Sequence, residues 1–183
     1  MALCRAVTAM AALWALATPA LGIDAPLPGD RLFGLGRVVR IDLTMTPGEF
    51  AALAPRGGPA PGGPRPAATT TGDDSHRNTF GTELPWSRGA VAVDGVAFAD
   101  VGIRAKGNGT LLYTARALRK SLKLDFDRHV PGQRLDGLSM VNLHCGVTDA
   151  TRTRESLAYA FFRTAGVPAP RTALAEVSLT VPG

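Results

Sequence analysis

Residues 89–106 read Gly-Ala-Val-Ala-Val-Asp-Gly-Val-Ala-Phe-Ala-Asp-Val-Gly-Ile-Arg-Ala-Lys. Ala90 to Val93 and Val96 to Phe98 flank the dipeptide Asp94-Gly95. A two-residue connection of that type favours a type I′ turn, because both central positions need positive φ. The stretch is therefore expected to be a hairpin. Beyond it Val101, Ile103 and Ala105 fall on one side of a continuing strand, with Arg104 and Lys106 on the other. Gly107-Asn108-Gly109-Thr110 ends that strand.

Downstream, residues 120–127 (KSLKLDFD) alternate again, with Leu122, Leu124 and Phe126 on one face and Lys123, Asp125 and Asp127 opposite. His129 to Gly132 is a turn and Met140 to His144 a further strand. One long helix is expected from Asp149, a good N-cap, to Ala165. Leu157, Ala158, Phe161, Phe162 and Ala165 form its apolar stripe. Gly166 stops it, and Pro168 and Pro170 prevent continuation. Residues 173–181 form a last strand. Upstream, Val38 to Met45 reads as a strand. Thr46-Pro47-Gly48-Glu49 is a capping box that starts a short helix, Pro47 to Ala54. Residues 55–66 hold five Pro and four Gly, a density that leaves no regular element, and the polar run 67–83 extends the insertion. The expected class is α+β: an antiparallel β-sheet with one main packed helix.

The chain of 183 residues is 45% hydrophobic and 19% charged, enough for a packed core. A net charge of +5, spread along the chain, permits an anionic ligand but does not argue for nucleic acid. Residues 1–22 read as a signal peptide. Arg5 is the only side-chain charge, residues 6–17 are apolar and too few to span a bilayer, and a cut is expected after Ala17 or Ala20. The protein is expected to be exported to the envelope or beyond, with no transmembrane span in the mature chain. Cys4 lies in that leader, so Cys145 has no disulfide partner in the mature chain and is expected to be a small buried apolar residue. The organisation is then 1–22 leader, 23–54 strand and short helix, 55–88 Pro/Gly-rich and polar insertion or linker, and 89–183 main domain.

The segment Val101 to Thr110 resembles the "RxKGN" stretch of the CotH family, the atypical spore-coat protein kinases. The similarity continues through Lys120 to Asp127, Leu135 to Leu138, Val141 to His144, Arg154 to Tyr159 and Ala165 to Thr172. It covers roughly residues 89–183 and resembles the N-lobe of a reduced kinase-like fold. The resemblance implies ATP-dependent phosphorylation of Ser in protein substrates, with Mg or Mn. The family continues into a second lobe that carries the catalytic and metal-binding aspartates. The chain stops at Val181-Pro182-Gly183, so no residue is assigned to either role, and phosphotransfer by this chain alone is not expected. The alternative is an exported binding or structural module that keeps the scaffold without catalysis.

Phosphoryl transfer needs positioning and charge neutralisation. Gly107 and Gly109, flanking Asn108 and Thr110, would let backbone N–H groups approach phosphate. Arg104 and Lys106 bring two positive charges to the same place. Which of the two contacts phosphate stays open. A kinase-like site also needs a strand lysine held by a helix glutamate. Lys120 and Lys123 are the candidates. Alternation favours Lys120, which shares the face of Leu122 and Leu124, and Glu155 is the matching acid. Asp125-Phe126-Asp127 lacks the glycine of a metal-binding D-F-G. Gly34-Leu35-Gly36 lacks the third glycine of a nucleotide loop. His144, Cys145 and Asp149 fit no metal-ligand spacing.

Overall fold

A computed structural model describes residues 26–58, 76–114 and 119–183. The leader and most of the Pro/Gly insertion lie outside the described residues. In chain order the elements begin with β1 (Gly34–Thr44), α1 (Pro47–Ala52), β2 (Arg56–Gly57), β3 (His76–Arg77) and β4 (Thr82–Leu84). They continue with β5 (Trp86–Val93), β6 (Val96–Ala105), α2 (Gly109–Tyr113) and β7 (Leu122–Asp125), then β8 (Met140–Leu143), α3 (Arg154–Thr164) and β9 (Ala173–Thr180).

The main sheet has the order β8-β7-β6-β5-β1-β9. From β8 to β1 every neighbour is antiparallel, as the hairpin reading requires. Asp94 and Gly95 take φ of 48° and 84°, the primed turn that Asp-Gly favours. The last pair corrects the all-antiparallel expectation, because β9 lies parallel to β1. Parallel strands need a long crossover, usually helical. Residues 144–172 supply it, carrying the chain from the β8 edge to the β9 edge through α3.

One face of the sheet is the core. Leu43 stands opposite Val91 and Ile41 opposite Val93, while Ile103, Leu124 and Val141 form a row across β6, β7 and β8. Phe126, just past β7, is fully buried and meets Phe98 edge-on, ring centres 5.0 Å apart. Leu32, Leu53 and Leu135 cover the row from outside the sheet. The segment bearing Leu32 is held by two ion pairs from adjacent residues just before it: Arg31 with Asp136 at 2.8 Å and Asp30 with Arg171 at 2.6 Å.

Thr46 and Glu49 form the capping box, each side chain accepting the other's backbone N–H. The helix they start ends at Ala52, two residues early. Ser87 donates to the Glu49 carbonyl at 2.7 Å and ties α1 to β5. The insertion is less bare than its Pro and Gly density predicts. Arg56–Gly57, His76–Arg77 and Thr82–Leu84 pair into a small sheet of order β2-β4-β3. Two-residue strands suffice because Leu84 packs with Ala105 and Leu111 at the end of β6.

The helix departs furthest from expectation. It begins at Arg154, and Thr153 is the N-cap, its side chain making no bond to the helix N–H groups. Asp149 instead closes the preceding loop, accepting from Thr151 with one oxygen and from the Arg154 N–H with the other. The C-terminus follows the sequence: Gly166 takes φ 76°, and Val167 N–H reaches back to the Phe162 carbonyl. The expected packing does not occur. Leu157 and Phe161 are 58% and 70% exposed, and Ser156 is the helix's buried residue. The class is α+β, with a mixed sheet and a helix whose apolar stripe faces outward.

Candidate functional site: a basic sheet face

The face opposite the core carries the charges. Trp86, Arg104, Lys123 and Asn142 follow one another in register across β5, β6, β7 and β8. Trp86 owes its place to a bulge. The turn at Asp94-Gly95, continued evenly, would set Ile103 opposite Trp86. An irregularity between Gly89 and Val91 shifts the pairing, so that Arg104 faces it. The Arg104 guanidinium then stacks on the indole at 5.1 Å, and Arg128 stacks on it at 4.3 Å. Gly102 makes room for Arg128, since a Cβ there would lie 2.5 Å from the Arg128 Cδ.

Arg104 is only 8% exposed and its Nε has no hydrogen-bond partner. Its Nη1 donates to the Ala105 carbonyl at 3.3 Å. Among the described residues it has no carboxylate partner, and burial pulls its pKa below the ordinary value. A guanidinium stays charged regardless. Its neighbours have the same sign. His76 of β3 is held below its usual pKa by burial first, then by Arg104 and Lys123. Burial also lowers the Lys106 ammonium; Lys123 and Arg104 add to that, and Glu155 opposes it.

Lys106 is the lysine connected to the helix glutamate. Its Nζ lies 2.8 Å from His144 Nε2, and His144 Nδ1 lies 3.1 Å from Glu155 Oε2. An ammonium only donates, so Nε2 accepts and the ring proton sits on Nδ1, directed at Glu155. Tyr159, one turn on, donates to the other Glu155 oxygen at 3.1 Å. His144 thus bridges a sheet lysine and a helix acid. Sequence spacing gave it no such role, because the contact needs three strands in register.

Arg104, Lys106, Lys123 and Glu155 come together on this side. Lys120 does not. It precedes β7 rather than lying in it, forms no ion pair with Glu155, and lines a cavity on the core side with Leu122 and Leu143. The connection to Glu155, through His144, is made by Lys106 and not by the preferred Lys120.

The glycine turn is anchored rather than open. Gly107 takes φ 126°, and a Cβ there would sit 2.8 Å from Thr110 Oγ1. Its carbonyl accepts from Asn78 Nδ2 at 3.1 Å, and Asn108 Oδ1 accepts from the Thr79 N–H at 3.2 Å. Asn78 Oδ1 also accepts from Phe80 and Thr82, so one side chain joins the β3–β4 turn to the end of β6. Gly109 and Thr110 open α2. Cys145 is half-buried; its N–H donates to Ser121 Oγ, whose hydroxyl reaches back to the sulfur.

Among the described residues no group of three or more His, Cys, Asp and Glu could hold a metal ion, and no helix is long and apolar enough to cross a membrane. Comparisons with curated proteins and with solved structures found no match. A family model described as CotH kinase protein matches residues 103–180, which run from β6 through β9 and include Arg104, Lys106, Lys123, His144 and Glu155. Over that part of its length the chain carries the pattern of the CotH kinase protein family, as its motifs indicated.

Proposed function

We propose that this chain is the nucleotide-holding sheet of a CotH-type protein kinase, and that Arg104, Lys106 and Lys123 bind the phosphates of ATP. The observation that carries the reading is the buried Arg104, with an unpartnered Nε and cations for neighbours. A buried charge without a counter-charge is costly, so a site built this way suits an incoming anion. The family match favours a nucleotide as that anion. Bound ATP, with Mg or Mn, would supply the γ-phosphoryl group for a serine of a protein substrate. The residues named here are assigned binding, not the transfer step. Glu155 and His144 position Lys106 by taking its direct and relayed hydrogen bonds. Gly107 and Asn108 hold the end of β6 in place. Export of the chain, implied by its N-terminal residues, is part of the same proposal and would bring this site to the envelope or beyond.

Calorimetric titration of the purified chain with ATP and MgCl₂ tests it. Saturable binding is expected, weakened at least tenfold in Lys106→Ala and little changed in Lys120→Ala. Absence of binding, or equal loss in both variants, contradicts the assignment and leaves the sheet as a binding or structural module of another kind.

A further inference from the structure

The other face of the sheet has a cavity of 390 Å³, within the range of small-molecule sites. Its floor is apolar: Leu43 of β1, Leu122 of β7, Leu143 of β8, and Val177 and Leu179 of β9. Phe50 of α1 and Leu53 at its C-terminus form a wall. The floor is not sealed, since Val177 and Leu179 remain 45% and 40% exposed. Cys145 and His144, the latter bonded to Lys106 and Glu155, are part of its polar lining, and the Lys and Arg side chains there have one sign. Arg119, Lys120 and Arg152 border the cavity, and no Asp or Glu is among its described lining residues. None of those three cations has an ion-pair partner among the described residues.

A neutral apolar molecule would satisfy the floor and leave three cations unused. A small hydrophilic anion would do the reverse. We propose that the cavity binds an amphiphilic carboxylic acid, its apolar body on the floor and its carboxylate among Arg119, Lys120 and Arg152. Long basic side chains suit that role because their stems lie along apolar surface while their heads stay at the mouth. His144, which bridges Lys106 and Glu155, also borders this cavity; the proposal rests on the cavity's own lining and not on the nucleotide reading.

The test is displacement of anilinonaphthalene sulfonate fluorescence from the purified chain, below the micellar range. Dodecanoate is expected to compete at least tenfold better than dodecanol and dodecylammonium. Lys120→Glu with Arg152→Glu should remove that advantage while the circular dichroism melt stays cooperative. Equal competition by dodecanol overturns the proposal, because apolar contact alone would then explain binding. So does absence of competition, or displacement of the dye by ATP, which would make the cavity part of the nucleotide site. If the double variant fails to fold, the head-group comparison on the unaltered chain decides alone.

Discussion

Arg104 sets the terms at the scale of single residues. It was legible in the sequence as a basic residue on a strand facing away from the apolar row. Its burial was not, because it depends on Trp86, and Trp86 arrives opposite it only through the bulge between Gly89 and Val91. A buried donor left unsatisfied costs on the order of 1–3 kcal/mol. Arg104→Met keeps much of the side-chain volume against the indole and removes that cost. The variant is expected to unfold at higher urea, by about 1 kcal/mol, while losing nucleotide binding. A marked loss of stability would show instead that the guanidinium is needed to hold Trp86. The missed partner, His144, teaches a similar lesson. Its neighbours Lys106 and Glu155 lie 38 residues upstream and 11 downstream; strand register brings the first to it and the helix after β8 the second.

At the scale of elements, local signals were reliable where a few residues settle the geometry. Asp94-Gly95 made its hairpin, Thr46 and Glu49 made their box, and Gly166 stopped its helix. Signals that needed tertiary packing failed. The stripe on α3 has helical spacing, but spacing cannot say whether a surface is there to receive it. Asp149 looked like an N-cap because the sequence does not reveal that Arg152 takes φ 57° and delays the helix. The capping box gives a checkable figure. Thr46→Ala is expected to cost about 1 kcal/mol at neutral pH in urea unfolding. The backbone and hydroxyl hydrogen bonds of Thr46 hold the Glu49 carboxyl below its ordinary pKa. A carboxylate depressed in the folded state stabilises above its unfolded-state pKa, and that contribution is lost as the pH falls through the folded value. The difference between Thr46→Ala and the unaltered chain should therefore shrink in acid. A constant difference from pH 7 to pH 3 would place the effect elsewhere.

For the whole molecule, the sheet divides two kinds of chemistry. One face buries Leu, Ile, Val and Phe and ends in an apolar cavity; the other gathers Arg104, Lys106, Lys123 and His76. The split follows from strand alternation, which is why Arg104, Lys106 and Lys123 share the face opposite the apolar row. Which face the helix acid would serve was not legible, because the β8–α3–β9 crossover makes β9 parallel to β1, and nothing in the strand pattern announces it. Several stretches that match the family have scaffold duties: Asp136 holds Arg31, and Arg171 holds Asp30. A motif match therefore does not by itself mark a ligand contact, and Arg104 needs direct observation. The measurement is the nitrogen–proton spectrum of the arginine Nε–H groups in the purified chain, with the Arg104 signal identified by its loss in Arg104→Met. Mg·ATP is expected to shift that signal, and adenosine, which lacks phosphates, to leave it in place. An Arg104 signal unmoved at saturating ATP would rule out the phosphate-binding role of Arg104.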